Sequence, residues 1–342
     1  MTTLPNESFC RTCARHLTRW FEENKRDLPW RRTRAPYAVL VSELMLQQTQ
    51  VERVKDYYMR WMERFPTLRA LAEASEDEVL AAWQGLGYYS RARSLHAITK
   101  TLLDAGGETL PADPDALLAL PGVGAYTAGA VCSIAFDLPV PAVDGNVRRV
   151  FSRLLDLDSD PAKKEAAKLI EDTVKMILDL GRPHLLTQAF MELGATVCTP
   201  LASCSCGECP LASLCAAREH GTQSQRPVTD RRVKVLRRCG AALLIGDERA
   251  GWLVRRRPKG GLWSDFYEIP WTAGDEKDDL NDCLRKVRTQ LDLFAPCNDT
   301  GIEETLRFTR WQVRVRLWRT SPLPELPEGT QCVDTKTLLA LP

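Results

Sequence analysis

The sequence lacks the features of a membrane or secreted protein. Its 342 residues contain no apolar run of about 18 residues, the length that a membrane-spanning helix needs. Arg11, Arg15 and Arg19 interrupt the apolar residues near the start, so we expect no secretory signal. The expected compartment is the cytoplasm.

An excess of one charge is also missing. Lysine and arginine together number 46, and aspartate and glutamate together number 45. No global electrostatic attraction to a polyanion follows from such a balance, so any contact with nucleic acid has to come from local basic residues. Histidine is scarce, with four residues, and their spacing matches no metal site.

At about 150 residues per domain, the length predicts two domains, with three as the alternative. Helical periodicity, broken by glycines, extends over residues 7–225 and predicts a bundle of short helices. Alternating β-type runs then appear, with one helical stretch at residues 278–290, which predicts a small α+β domain. The predicted boundaries are 1–220 for the helical domain, 221–233 for an exposed polar linker and 234–342 for the α+β domain.

Twelve cysteines are present, and five of them lie within residues 198–215. The five are Cys198, Cys204, Cys206, Cys209 and Cys215. A local cluster in a long chain indicates thiolates around a metal rather than a disulfide scaffold. Four thiolates suit a [4Fe–4S] cluster. Zinc is the competing metal, although four-cysteine zinc sites usually have two close pairs, and Cys206 and Cys209 form one.

A glycine-rich turn at residues 120–130 (LPGVGAYTAGA) separates two helical patterns. Gly122 and Gly124 flank Val123 and allow a tight hairpin whose backbone can approach a ligand closely. The following helix points its first N–H groups outward, which suits a phosphate. This is the helix-hairpin-helix pattern, which grips the DNA backbone without reading sequence. The alternative is a plain turn between helices.

Two carboxylates have opposed sequence environments. Asp144, in PAVDGNVRRV, stands where a helix begins; it can act simply as an N-cap, and that position favours its ionised form. Glu43 lies in an apolar run, so burial favours its protonated form. An ion pair of Glu43 with Arg26 or Arg31 is the alternative. One protonated and one ionised carboxylate form the pair that cleaves glycosidic bonds.

Six segments carry a family resemblance. They are residues 28–31 (LPWR), 42–51 (SELMLQQTQV), 85–93 (GLGYYSRAR), 120–130, 143–150 (VDGNVRRV) and 191–198 (MELGATVC). In these segments the chain resembles the MutY adenine DNA glycosylases of the endonuclease III superfamily. The resemblance implies an all-α helix-hairpin-helix glycosylase domain in two lobes, with an iron–sulfur cluster loop, followed by a C-terminal α+β domain that resembles the Nudix fold.

The resemblance also implies an activity, which is removal of adenine mispaired with 8-oxoguanine or guanine in duplex DNA. In that family pattern Glu43 protonates the base and later activates water. Asp144 either stabilises the sugar cation or bonds to it briefly, and Tyr126 and Asn146 position the two carboxylates and the water. The implied adenine pocket is Arg26, Leu28, Trp30 and Arg31. The residues implied to contact the helix around the damaged base are Gln48, Thr49, Leu86 and Tyr88. We expect a monomer bound to the bacterial nucleoid, with no membrane partner.

The family spacing also proposes the cofactor ligands, Cys198, Cys206, Cys209 and Cys215. The first gap has six residues in the family and seven here, and Cys204 lies within it. Either the loop carries one extra residue or Cys204 replaces Cys206 as a ligand. A structural monovalent or divalent cation at the hairpin of Gly122, Val123 and Gly124 is a further expectation from the resemblance.

The Nudix resemblance is limited to residues 261–263 (GLW) and 267–270 (YEIP). Residues 261–287 lack the Glu-rich box of a Nudix hydrolase, so we expect no pyrophosphatase activity. Phe308, Thr309 and Arg310 stand where the family has a Phe-Ser-His loop that reads the oxidised base. Basic residues of this domain either grip phosphates or form a solvated strand face. They are Arg255, Arg256, Arg257, Lys259, Arg307, Arg310, Arg314 and Arg316.

Tyr126 separates the main hypothesis from its closest rival. Lyases of the endonuclease III type have a nucleophilic lysine at the matching position, and a tyrosine cannot form a Schiff base. The sequence therefore favours a monofunctional glycosylase over a pyrimidine glycosylase/lyase. A third hypothesis is a non-catalytic iron–sulfur protein that senses DNA damage, against which the presence of both Glu43 and Asp144 argues.

Overall fold

The computed structural model describes residues 4–200, 204–229, 235–257, 266–308 and 310–340. It divides into two compact units, Met1–Asp230 and Arg231–Pro342. None of the helices in these ranges is long and apolar enough to span a bilayer.

The first unit is helical, as the sequence predicts. In its described residues the α-helices are α1 (Glu7–Asn24), α2 (Pro36–Leu46), α3 (Val51–Arg64), α4 (Leu68–Ala72), α5 (Glu76–Trp83), α6 (Ser90–Asp104), α7 (Pro114–Leu118), α8 (Ala125–Phe136), α9 (Gly145–Leu154), α10 (Lys164–Asp179), α11 (Pro183–Thr196) and α12 (Ala216–Glu219). A 3₁₀ turn covers Pro29–Arg31. Polar side chains accept the free N–H groups at helix starts, as Ser75 does from Glu78 and Asp113 does from Ala116.

Two clusters of buried side chains hold the helical unit together. The first is formed by α2–α8 around Trp61 and Trp83. The second is formed by α1 and α9–α11 around Phe151 and Phe190, whose rings meet edge-to-face with centroids 5.0 Å apart. Helix α11 contacts both α8 and α9 and so joins the two clusters. The helical unit therefore has two lobes.

Two glycines allow the chain between α8 and α9 to pack closely. A Cβ at Gly129, in α8, would lie 2.0 Å from the carbonyl oxygen of Pro141. A Cβ at Gly194, in α11, would lie 2.6 Å from Cβ of Asn146. Real Cβ atoms do not come this close to other heavy atoms. The chain just before α9 and the first turn of α9 are therefore each held against a position that admits only glycine.

The second unit is a mixed sheet with helices packed against its strands. Its described elements are β1 (Leu236–Asp247), β2 (Gly251–Arg256), β3 (Tyr267–Glu268), β4 (Trp271–Asp275), α13 (Leu280–Gln290), β5 (Asn298–Phe308), β6 (Trp311–Thr320), β7 (Thr330–Val333) and α14 (Thr335–Ala340). The strand order is β3-β2-β1-β6-β5, with β4 paired to β1 and β7 to β2. Strands β1 and β6 are parallel. The predicted α+β class and the helical stretch at residues 278–290 are confirmed.

The start of the predicted linker differs from the expectation of an exposed segment. Thr222 donates a 2.6 Å hydrogen bond to Asp156, and Arg153, on α9, donates to the carbonyls of Gln223 and Arg226. These residues belong to the helical unit because buried donors on α9 need their carbonyls. Residues 230–233, at the end of the predicted linker, lie outside the described residues.

We expect Gly129→Ala to lower the free energy of unfolding by about 2 kcal/mol, because the new methyl group meets backbone that cannot move aside. Urea denaturation measures the change. Gly145→Ala is the matched control, since a Cβ there meets nothing within 4 Å and alanine favours a helix. Equal stability of the two variants would show that the contact with Pro141 is not a constraint.

Candidate active site

Glu43 lies on α2, a helix that is buried on nearly every side. All residues of Tyr37–Met45 are buried. The helix begins with Pro36, at a position where a missing N–H costs no hydrogen bond. A helix that is apolar all round packs in the middle of a bundle, so Glu43 is carried into the interior and is only 5% exposed.

The partner of Glu43 is a neutral hydroxyl. Tyr126, in the first turn of α8, donates a 2.6 Å hydrogen bond to Oε2 of Glu43. The alternative of an ion pair with Arg26 or Arg31 is not realised, because both guanidinium groups bind Glu192, at 2.6 and 2.8 Å. Glu43 is therefore buried without a direct cationic partner.

This environment raises the pKa of Glu43 to about 7. Desolvation by burial is the largest cause, and the hydrogen bond from Tyr126 opposes it. The carboxylate of Asp144 raises the pKa further, and Arg31 lowers it. Near neutral pH Glu43 holds a proton in a substantial fraction of molecules, which is the condition for a general acid.

Asp144 is the N-cap of α9. Its Oδ1 accepts the Val147 N–H at 2.7 Å, and its Oδ2 accepts the Asn146 amide at 3.0 Å. The cap alone predicts a lowered pKa, but burial outweighs these donors and the pKa of Asp144 is raised. Because Asp144 receives two N–H donors and Glu43 receives one hydroxyl, Asp144 is the better stabilised carboxylate of the two.

A hydrogen-bonded chain leads from Asp144 to the cysteine loop. Arg149 donates from Nη2 to the Asn146 side chain at 2.8 Å and from Nε to the Cys198 carbonyl at 2.9 Å. The same Nη2 also donates to the Gly194 carbonyl at 2.8 Å. The amide of Asn146 is oriented by this guanidinium, so the geometry at Asp144 depends on where the cysteine loop lies.

Glu192, on α11, is the centre of a second charged group. Its side chain has no exposed surface, and it accepts from the N–H, Nε and Nη2 of Arg26 and from Nη2 of Arg31. These donors outweigh the cost of burial and lower the pKa of Glu192 to about 2. Glu192 therefore stays ionised and fixes both arginines.

A cavity of about 540 Å³ brings most of the predicted residues together. The predicted residues that line it are Arg26, Leu28, Trp30, Arg31, Glu43, Gln48, Thr49, Tyr126, Asp144 and Asn146. Its carboxylates come from both lobes, since Glu43 is on α2 and Asp144 caps α9. The arrangement offers a protonated acid, a second carboxylate and oriented guanidinium groups in one concave site.

Other predicted residues lie elsewhere. Leu86 is buried in the first core cluster, because the turn after α5 folds its side chain inward; its contact with DNA stays a prediction. Tyr88 is 43% exposed. In the hairpin, Gly122 has φ of +76°, Val123 is buried and Gly124 caps α8.

The predicted residues of the second unit are described only in part. Thr309 lies outside the described residues, as do Lys259 and the GLW segment at 261–263, and of Phe308 only the backbone is described. Arg310 lies over the ring of Trp311, with its guanidinium carbon 5.6 Å from the ring centroid. Arg314 and Arg316 pair with Glu303 and Asp299 on the neighbouring strand.

Several lining residues were not singled out from the sequence. Glu192 stands within the segment MELGATVC, but no local pattern marks it, because its partners are distant in sequence. Arg148 also lines the cavity, and its buried Nε has no hydrogen-bond partner among the described residues. Gln188 and Met191 complete the α11 side of the cavity.

The cysteines of the 198–215 loop surround a second, small cavity beside α9. All five line it, and Sγ of Cys204 lies 3.4 Å from Sγ of Cys206. Arg153 donates from Nη1 to Sγ of Cys198 at 3.3 Å. No three His, Cys, Asp or Glu side chains in the described ranges are placed to hold a single metal ion. Thiols gathered around a shared space match the donor set of a polynuclear cluster.

Burial affects these thiols. It raises the pKa of Cys206 to about 11 and that of Cys209 to about 12. Metal ligation requires thiolates, so a positively charged iron core is the kind of group that would stabilise their ionised forms. The residues present fit an iron–sulfur cluster.

Comparison with known proteins places the chain in a family. Residues 41–176 match the model of the HhH-GPD superfamily base excision DNA repair proteins. The adenine DNA glycosylase of Mycolicibacterium smegmatis is 45% identical over 207 residues, which are 60% of this chain and 69% of that protein. The adenine DNA glycosylase of Mycobacterium tuberculosis is 37% identical over 254 residues, covering 70% and 83%. The chain belongs to the adenine DNA glycosylase family.

Other relatives in this family are longer than this chain. The human adenine DNA glycosylase is 46% identical over 218 residues, 61% of this chain and 40% of the human protein. The chain thus spans about two fifths of the length of the mammalian relatives it matches. A solved endonuclease III–DNA covalent intermediate is 25% identical with a TM-score of 0.53, covering 64% of this chain and 99% of that one. This likeness supports the glycosylase fold of the helical unit.

The pKa of Glu43 predicts a pH-dependent stability. It rises from the ordinary 4.5 to about 7, so between these pH values the folded protein keeps a proton that the unfolded chain releases. The free energy of unfolding therefore falls by about 3 kcal/mol as the pH rises through this range. Because Glu43→Gln lacks this titration, its stability relative to wild type should increase from pH 4.5 to pH 8.

Urea denaturation at several pH values measures this difference. The matched control is Glu63→Gln, which makes the same substitution at an exposed glutamate on α3. A stability difference between Glu43→Gln and wild type that stays constant with pH would mean that Glu43 is ionised in the folded protein throughout.

Proposed function

We propose that the protein is a DNA N-glycosylase that hydrolyses the bond between adenine and deoxyribose in duplex DNA, where the adenine faces 8-oxoguanine or guanine. The observation that carries the proposal is the placement of Glu43, with its raised pKa, in one cavity with Asp144. Membership of the adenine DNA glycosylase family supports adenine as the base.

The chemistry assigned to these residues follows from their environments. Glu43 donates its proton to the flipped adenine, which turns the base into a better leaving group. Asp144 stabilises the positive charge that develops on the sugar. After the base leaves, the Glu43 carboxylate takes a proton from the attacking water. Tyr126 holds Glu43, and Asn146 holds Asp144.

Tyr126 also limits the reaction to hydrolysis. Its hydroxyl is bonded to Glu43, and a phenol cannot form an imine with the abasic sugar. Arg148, the basic residue of α9 that lines the cavity, carries a guanidinium rather than an amine and does not serve as an imine-forming nucleophile either. The product we expect is an intact strand with an abasic site.

We propose that the protein acts as a monomer and that its partner is duplex DNA. The helix-hairpin-helix between α7 and α8 and the exposed Tyr88 supply backbone contact and a wedge between bases. Arg148 offers a charged donor to a phosphate beside the flipped nucleotide. The second unit, with its resemblance to the Nudix fold, reads the base opposite adenine, and Arg310 in place of a histidine bears on how well it selects 8-oxoguanine.

The cofactor proposed is a [4Fe–4S] cluster held by Cys198, Cys206, Cys209 and Cys215. When bound, it braces the 198–215 loop. The loop in turn accepts hydrogen bonds from Arg149 and Arg153 on α9, so bracing it keeps Asn146 oriented on Asp144. We also propose a structural monovalent or divalent cation at the hairpin of Gly122, Val123 and Gly124.

A single-turnover assay tests the function. The wild type should release adenine from duplexes with A:8-oxoguanine and A:G, but not thymine from T:G. Strands should break only after alkali, and borohydride should trap no protein–DNA adduct. Glu43→Gln should bind the same duplexes and cleave at least about 100-fold more slowly, since it cannot donate the proton; Glu63→Gln is the control. Efficient trapping by the wild type supports a glycosylase/lyase instead, and binding without base release supports a damage sensor.

Metal analysis tests the cofactor. The purified protein should hold about four irons per chain. Cys206→Ser should lose iron and visible absorption, whereas Cys204→Ser and the exposed control Cys332→Ser should retain both. The opposite result for Cys204 and Cys206 would make Cys204 the second ligand, and stoichiometric zinc in anaerobic protein would contradict the cluster.

A further inference from the structure

Arg91 is a buried cation at an unexpected place. It occupies the second position of α6 and is 6% exposed. A positive charge in the first turn of a helix is opposed by the helix dipole, and no carboxylate in the described part of the chain pairs with it. Contacts with other elements must therefore stabilise Arg91.

One side of the guanidinium binds the end of α2. Nη1 donates to the carbonyls of Leu44 and Met45, each at 2.9 Å, and to that of Gln47. The last carbonyls of a helix have no partner within the helix, and a cation there also complements the dipole. Arg91 is thus the C-terminal cap of the helix that carries Glu43.

The other side binds the turn between α5 and α6. Nη2 donates to the carbonyls of Leu86 and Gly87, at 3.3 and 3.0 Å, and Nε donates to that of Tyr88 at 3.4 Å. The guanidinium carbon lies 5.3 Å from the centroid of the Tyr88 ring. Nη2 also donates to Thr49 Oγ1 at 3.2 Å. One planar group therefore joins two turns that are distant in sequence.

Each of these turns contains a non-glycine residue in the left-handed region. Gln48 has φ of +55° and Tyr88 has φ of +48°. Such conformations are uncommon for these residue types and persist when the surroundings fix them. Gln48 lines the catalytic cavity and Tyr88 is exposed, so Arg91 holds together a residue of the cavity and the exposed aromatic ring.

We propose that Arg91 is a positioning residue that locks the turns at 47–49 and 86–88 to each other, so that Tyr88 enters the DNA stack in register with the cavity that receives the flipped base. The inference rests on the proposed function for its readout. The fork of a guanidinium is essential, because it directs five N–H donors in one plane. A lysine has its donors on a single atom and cannot serve both turns.

The experiment measures unstacking apart from chemistry. A duplex carries A opposite 8-oxoguanine with 2-aminopurine next to the adenine, and Glu43→Gln serves as the background that stops base release. Rapid mixing should give a rise in fluorescence as the base leaves the stack. We expect Arg91→Lys to reduce this rise and, with Glu43 present, the single-turnover rate, each about tenfold. Arg93→Lys, which alters a surface pair with Glu76, is the control and should change neither.

A double-mutant cycle separates positioning from general destabilisation. Tyr88→Leu should show a similar loss, and combining it with Arg91→Lys should add little, because both remove the same wedge. Losses that multiply, or normal unstacking in Arg91→Lys, would overturn the inference.

Amide hydrogen exchange, measured well below the unfolding temperature of each variant, gives a readout without DNA. In Arg91→Lys the amides of 47–49 and 86–88 should exchange faster together while α9 and α11 keep their protection. Faster exchange throughout the unit, or in neither turn, would contradict the positioning role. If the wild type unstacks the base but releases no adenine, the proposed function is wrong. The role of Arg91 is then still tested by the double-mutant cycle, with 2-aminopurine fluorescence as its readout.

Discussion

The burial of the Glu43 carboxyl without a cationic partner is the constraint on which the candidate site depends. Two arginines lie in the same cavity and would hold Glu43 ionised if they bound it. Glu192 accepts both guanidinium groups instead, which leaves Glu43 with a hydroxyl and with a pKa near 7. The acid at the centre of the site is therefore maintained by a second carboxylate, Glu192, on another helix. Replacing Glu192 would change the contacts of both arginines and, with them, the pKa of Glu43.

The position of Asp144 depends on a different set of contacts, which come from backbone packing. Gly129 and Gly194 let the chain before and after Asp144 lie against α8 and α11. The Asn146 side chain that binds Asp144 is then oriented by Arg149, whose other contact is the carbonyl of Cys198. Order at Asp144 and order in the cysteine loop are thus physically linked, and a cofactor in that loop would act on the reaction through position rather than through its own chemistry.

Much of this site could be predicted because the neighbouring residues in the sequence indicate the environment of each carboxylate. Glu43 stands in an apolar run, and Asp144 stands where a helix begins, so burial and capping follow from neighbours in sequence. Glu192 could not be predicted in this way, because its partner Arg26 is 166 residues away and one glutamate on a helix ordinarily faces solvent. The burial of Leu86 could not be predicted from its motif, because it depends on the tertiary fold around the turn after α5. Polar composition at residues 221–226 suggested a free linker, whereas Arg153 and Asp156 bind it.

Three buried ionisable side chains in the helical unit meet the cost of desolvation in three different ways. Glu43 lacks a cation and responds by holding its proton, which makes it useful as an acid. Glu192 binds two guanidinium groups, and its pKa falls to about 2, so it stays ionised and acts as an anchor. Desolvation lowers the pKa of Arg91 to about 10, and Tyr88 opposes this shift; backbone carbonyls take the place of water around the guanidinium. It therefore remains charged at neutral pH, and the carbonyls that solvate it are the ones whose turns it holds. In each case the way the charge is compensated determines what the residue can do.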